Sequence, residues 1–242
     1  MVSTPFLAMT AAEIAGNEAL PPKIAWMACH FSPYGPGLSN LPRWLPAGSL
    51  LMVDDATPMG SHDPRTIRDQ LCRCAEALNC CGILLDFQRP KDSKTAALVE
   101  FLSGNLPCPM AVSHLYAEHS DCALCVPPVP SSESAESWLS QWKNKELWLE
   151  ISREGEQITV TEDGAAVSPL PFWEEQERDF FSENLLCHYR QELREDAVVF
   201  TLYRTEQDIQ MLLSAAEKHD MKATLGLYQE YFSLSSLQCT SA

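Results

Sequence analysis

Short apolar runs that end abruptly in polar residues recur along this chain. The clearest is Cys81-Gly82-Ile83-Leu84-Leu85-Asp86, followed by Phe87-Gln88-Arg89-Pro90. A strand that is apolar along its length and polar only at its C-terminal end is the pattern of a parallel sheet covered by helices. Similar runs lie at Lys23–His30, Ser49–Asp54, Met110–Tyr116, Cys122–Val126, Glu183–Tyr189, Ala197–Arg204 and Ala223–Tyr228. Between several of them the apolar period lengthens to that of a helix. Asp63 followed by Pro64 predicts a helix start, and Ile67, Leu71, Ala75 and Leu78 then repeat on one face. Lys94–Leu102 and Glu206–His219, the latter capped by Thr205, have the same character. A shorter helical stretch is predicted around Trp138 and Trp142.

One region departs from this order. Glu146–Ile151 alternates with a period of two, and Gln157–Thr161 and Ala165–Ser168 follow across Gly-containing turns. That predicts a three-stranded antiparallel meander over 146–168, inserted into the larger unit. The eight strand segments outside it match the number in a β/α barrel. Helices are lacking between the fourth and fifth and between the sixth and seventh of these segments. The expected fold is therefore α/β: an incomplete (β/α)8 TIM-like barrel formed by residues 1–242 as a single domain, with a small antiparallel β-meander insertion. An open doubly wound sheet is the alternative, but no glycine-rich dinucleotide fingerprint or P-loop follows any strand.

Composition narrows the partners. The chain has 242 residues, of which 45% are hydrophobic, enough for a full core. Its 33 acidic and 17 basic residues give a net charge of −16. That argues against nucleic acid and against anionic membrane surfaces, both of which need clustered Lys and Arg. No apolar run is long enough to span a bilayer, and the first twenty residues lack the marks of a secretory signal. The ten cysteines read as buried thiols of a cytoplasmic protein. Cys122 and Cys125 match a C-x-x-C spacing, but no second pair follows as zinc would require. No metal site and no cofactor are expected; the oligomeric state is left open.

If the strands run parallel in one barrel, their polar ends gather at one rim. Asp54, Asp55, Asp86, Gln88, His114, Tyr116, Tyr203, Tyr228 and Glu230 would all lie there. Carboxylates with aromatic and amide groups suit a neutral, polar small molecule or oligosaccharide. The segment from Cys81 to Gln88 resembles the strand motif D-G-x-D-x-D-x-E of glycoside hydrolase family 18, the chitinase-like barrels. Gly82 matches the glycine, Asp86 the last aspartate, and Phe87 a position that is commonly aromatic. Cys81 and Leu84 replace the first two aspartates, and Gln88 replaces the glutamate. The resemblance implies a carbohydrate pocket at the C-terminal rim, in which the family's glutamate protonates the leaving oxygen while the aspartate supports attack by the substrate's acetamido group. Gln88 carries no titratable proton, so another acid is needed. Asp54 or Asp55 could pair with Asp86 as catalytic carboxylates, although Asp before Ala-Thr-Pro also forms a simple turn. Gln88, His114, Tyr116, Tyr203, Tyr228 and Glu230 are the expected substrate-binding set. Two alternatives stand beside a glycosidase. One is a non-catalytic sugar-binding relative, which Gln88 favours. The other is a metal-dependent hydrolase using His30, His62, His114 and His188 with Asp54 and Asp86.

Overall fold

Strands that are apolar on both faces can be buried only between an inner filling and an outer layer of helices, and the chain solves this by closing its sheet. The computed structural model describes residues 4–119, 121–142, 145–170 and 179–231. In chain order the first half contains β1 (Phe6–Met9), α1 (Ala11–Gly16), β2 (Ile24–Phe31), β3 (Leu38–Ser39), β4 (Leu50–Asp54), α2 (Pro64–Leu78), β5 (Gly82–Asp86), α3 (Ser93–Leu102) and β6 (Met110–Ser113). A 3-10 segment (His114–His119) leads to β7 (Ala123–Val126), α4 (Ala135–Gln141) and β8 (Leu147–Glu150). Then come β9 (Gly155–Thr161), β10 (Gly164–Leu170), β11 (Phe180–Ser182), β12 (Cys187–Leu193), β13 (Val198–Tyr203), α5 (Glu206–Lys218), β14 (Ala223–Leu227) and α6 (Tyr228–Tyr231).

Eight parallel strands, β1, β2, β4, β5, β6, β7, β8 and β14, form a ring that β1 closes by pairing with both β14 and β2. The short β3 folds back antiparallel on β2. The barrel interior holds small or slender side chains, Ala8, Ala25, Leu50, Leu84, Ala111 and Ala123, around one large ring, Trp148. Gly82 makes room for that ring: a Cβ there would lie 3.1 Å from the indole and 2.9 Å from Leu50. The opposite faces of the same strands, with α2, α3 and α5, form the outer core around Ile83, Leu85, Ile67, Leu71, Leu98 and Leu212.

The helices start where capping chemistry places them. Asp63 accepts from the amides of Arg65 and Thr66 ahead of Pro64, and α2 ends on Asn79 in the left-handed region. Thr205 and Asp208 form a reciprocal capping box at α5. Thr10 and Glu13 do the same for α1.

The eight-stranded barrel and an antiparallel insertion follow the sequence, but membership is corrected in three places. The first barrel strand is Phe6–Met9, within the first twenty residues, where no strand was expected. Leu147–Glu150, assigned to the meander, is a barrel strand between β7 and β14. The segments around 183–189 and 197–204, counted as barrel strands, instead join a five-stranded antiparallel sheet ordered β10-β9-β13-β12-β11. The insertion is thus larger than a three-stranded meander, and its strands run from Gly155 to Tyr203. The strand read as Met110–Tyr116 stops at Ser113 and turns into the 3-10 segment.

Candidate functional site

Because the eight strands are parallel, their C-terminal residues share one end of the barrel. Strand alternation carries the inward positions from Leu84 to Asp86 on β5, from Leu50 and Met52 to Asp54 on β4, and from Trp148 to Glu150 on β8. Asp54 and Asp86 stand directly opposite in the β4–β5 register. A cavity of about 250 Å³ opens at this end. Asp86, Gln88, Glu150, Glu154 and Glu230 reach it, between aliphatic walls that include Met52, Leu84, Leu225 and Leu227.

The electrostatics of this cluster follow from burial and like charge. The Asp86 carboxyl is held above the usual carboxylate range, first by burial and then by the neighbouring Asp54 and Asp55 carboxylates. The Gln88 side chain works the other way, its Nε2 donating to Asp86 Oδ1 at 2.5 Å. Glu150 is pushed up to about 7, by burial and then by Asp86. Its Oε1 accepts from the buried Cys125 thiol at 3.7 Å. Glu230 is also raised by burial, while its Oε2 accepts from the Arg153 amide at 2.6 Å. A carboxyl that holds its proton near neutrality beside a second carboxyl is an arrangement in which one group can act as a general acid.

The other residues expected at the rim occupy varied places. Asp54 Oδ1 accepts from the Ala56 amide, forming the turn that its sequence context allowed. Asp55 points away from the cavity, is buried, and accepts from the amides of Gln88 and Arg89. It anchors the backbone just beyond Asp86. His114 lies edge-on to Trp142, and burial lowers its pKa. Tyr116 is fully buried in the outer core, against Phe87. Tyr203 lies within the insertion, where it donates to Asp179 and stacks on His188. Tyr228 donates to Asn17 Oδ1 at 2.9 Å, tying α6 to the loop after α1. The structure therefore brings Asp86, Gln88 and Glu230 to the cavity, with Asp54 alongside, and places Asp55, His114, Tyr116, Tyr203 and Tyr228 elsewhere.

The histidines considered for a metal are dispersed. His30 contacts Asn40, His62 bonds the carbonyls of Met59 and Ser32, and His188 bonds Asp208 at 2.7 Å. Among the described residues no group of three or more His, Cys, Asp or Glu is arranged to hold a metal ion. Among them, too, no helix is long and apolar enough to cross a membrane.

Glu150 is the residue that sequence reasoning missed. The signal was present: Leu147, Trp148 and Leu149 form an apolar run ending in a carboxylate, as Ile83, Leu84 and Leu85 do before Asp86. Its alternation with Glu146 made it look like a hairpin strand with one wet face. That face is the barrel interior, with Trp148 inside and Glu150 at the mouth.

No protein-family model matches the chain, and no curated protein matches it. Solved structures do. The spore cortex-lytic enzyme SleL of Bacillus cereus superposes with a TM-score of 0.53 at 8% identity, covering 84% of this chain, which spans 63% of the length of SleL. A chitinase from Chromobacterium violaceum gives a TM-score of 0.55 at 8% identity, covering 99% of this chain and 100% of that one. The family-18 chitinase of Cycas revoluta, solved in complex with (GlcNAc)3, gives 0.50 at 13% identity over 77% of this chain and 78% of that one. In fold, this chain is a closed eight-stranded β/α barrel similar to those of the chitinases and of SleL.

Proposed function

We propose that this chain is a glycoside-hydrolase-like barrel acting on a carbohydrate in the cavity at the C-terminal end of its strands. The observation that carries this is the pairing of Asp86 with Glu150 in one cavity, with Glu150 titrating near neutrality. The position filled by an acid in the family-18 motif is Gln88, which can orient Asp86 but cannot give up a proton. Glu150 supplies that function from another strand. It donates its proton to the leaving glycosidic oxygen as the bond to the anomeric carbon breaks. A water adds to that carbon and passes its proton to the carboxylates, restoring the starting charge. Asp86, held by the Gln88 amide, stabilises the positive charge that develops on the sugar ring.

Gln88 also supports a second reading, a sugar-binding protein without turnover. A panel of neutral oligosaccharides, including (GlcNAc)3, separates the two when thermal shift and product mass are recorded on the same protein. For the enzyme, a shift is accompanied by product, and Asp86→Asn and Glu150→Gln each reduce turnover by about 100-fold or more. A shift without product makes the chain a binding protein. Neither shift nor product across the panel removes the carbohydrate assignment.

A further inference from the structure

At the end of the barrel away from the cavity, five of the chain's ten cysteines lie close in sequence or in register: Cys72 and Cys74 on α2, Cys80 and Cys81 before β5, and Cys108 before β6. All are free thiols. Two of them are aligned. Strands β5 and β6 pair in parallel with Ile83 opposite Met110, and the Ile83 amide donates to Pro109 O at 2.9 Å, which carries the pairing toward the N-terminal ends. Two residues upstream of Ile83 and Met110, just before the two strands begin, stand Cys81 and Cys108. Neighbouring strands lie about 4.8 Å apart, within the Cα separation of ~4.4–6.8 Å that a disulfide requires.

The side chains also share a face. Ile83 and Met110 both point into the outer core, so alternation sends Cys81 and Cys108 to the same outer side of the barrel. Cys108 packs at the edge of that core, and Cys81 is exposed, open to a reagent from solution. Cys80, the neighbour of Cys81, is turned into the core, and Cys72 is engaged with the Asn105 carbonyl at 3.8 Å. Cys81 and Cys72 both act electrostatically on Cys108, Cys81 the more strongly, and Cys108 in turn acts on Cys80.

We infer that Cys81 and Cys108 form a dithiol site that a low-molecular-weight disulfide of the glutathione class oxidises to an intramolecular bond. The Cys81 thiolate attacks the reagent disulfide and releases one reagent thiol. The Cys108 thiolate then attacks the Cys81 sulfur of the mixed disulfide and releases the second. Two protein thiols are oxidised and one reagent disulfide is reduced to two thiols, with no other reactant. Burial raises both pKa values, that of Cys108 to about 11. Few thiolates exist at neutral pH, so the exchange is slow there and quickens as pH rises. For the same reason the reduced form gains nothing from a stabilised thiolate, and the bond, once made, resists mild reductants. It would clamp the base of β5, the strand whose other end carries Asp86.

The test is incubation of the purified chain with oxidised glutathione at pH 8.5, followed by intact mass and non-reducing peptide mapping. The expected result is loss of two hydrogens, a peptide linking Cys81 to Cys108, and a Tm raised by roughly 5–10 °C. Cys81→Ser and Cys108→Ser each abolish the link, and Cys72→Ser leaves it intact. A stable mixed disulfide with glutathione on either residue, a Cys72–Cys108 link, a bond between two copies of the chain, or unchanged thiols would each overturn the assignment.

Discussion

At the scale of single residues, Glu150 and Asp86 make a coupled pair whose behaviour with pH has a definite sign. Glu150 titrates near 7 in the folded chain, against an ordinary value near 4.5. The folded state therefore holds this proton more tightly than the unfolded chain does. The favourable contribution is fully present below about pH 4.5 and is lost as pH rises through 7, where the buried carboxylate must ionise. The difference corresponds to about 3 kcal/mol. Glu150→Gln, which cannot ionise, should be more stable than the parent above pH 7 by up to that amount, with the advantage fading toward pH 4.5. Urea denaturation across that range measures it, and a constant offset at all pH values would contradict the assignment. Asp86 is the second cause of the shift, so Asp86→Asn should move the Glu150 titration downward, visible by carbon-detected NMR of labelled glutamate. An unmoved titration would mean that burial alone sets the value. The residue-level chemistry was partly legible in the sequence. Asp86 could be read because a charge ending an apolar run is conspicuous. Tyr116 and Tyr203 misled because a strand-end tyrosine looks the same whether it faces a cavity or packs in a core, as these do.

Between elements, the informative residue is Asp55. It leaves the inner face of β4 by one step of alternation, and its carboxylate receives the amides of Gln88 at 2.9 Å and Arg89 at 3.1 Å. Those amides follow β5, where the chain leaves the sheet and their partners must come from elsewhere. Asp55 thus fixes the loop that carries Gln88 and, through the Gln88 side chain, the orientation of Asp86. Asp55→Ala should cost about 2–3 kcal/mol, since two backbone amides lose a buried, charged acceptor, while Asp55→Asn, which keeps one acceptor oxygen, should cost less. Chemical denaturation of the two variants checks the order; equal losses would point to packing instead. The helices were legible because their signals are local: Asp63 with Pro64, and Thr205, cap the helices they were expected to cap, and the structure adds Asp208 to the Thr205 cap. The strands were less so. Phe6–Met9 is too short to show a period, and its place is fixed by closing the ring between β14 and β2, with Leu7 and Met9 in the outer core and Ala8 in the barrel interior. Strand β8 alternates for a reason unrelated to a hairpin: Leu147 and Leu149 face the outer core, while Trp148 and Glu150 face the barrel. A period of two reports that the faces differ and is silent on what they face.

For the whole molecule, the question is how the five-stranded sheet is held to the barrel that it interrupts. The connection from β8 to β9 is short, and Gly155, which opens β9, lies so close to β13 that a Cβ would press into the Leu202 carbonyl. The principal fastening is Arg204, just past β13 and 2% exposed. Its guanidinium donates to Val129 O at 2.6 Å and Pro130 O at 3.2 Å in the segment after β7, and to Leu185 O and Leu186 O before β12. One side chain thus satisfies carbonyls from both parts of the chain. A buried guanidinium is costly unless fully bonded, and here its donors bridge the barrel's own loop and the inserted sheet. A second tie runs from His188 on β12 to Asp208 at the start of α5, the helix that leads back to β14. Arg204→Met keeps much of the volume but removes the donors, leaving those carbonyls short of partners, and should cost about 3 kcal/mol or more. The loss should fall unevenly. Amides of β9, β12 and β13 should exchange faster by the full amount, while those of β4, β5 and β6, bonded within the ring, should keep their protection. Native-state hydrogen exchange reads this strand by strand. A uniform loss across both sheets would instead mean that barrel and insertion open as one unit. In that case the two sides of the cavity, Glu154 on the insertion side and Asp86 on the barrel side, would lose their backbone hydrogen bonds in one cooperative opening.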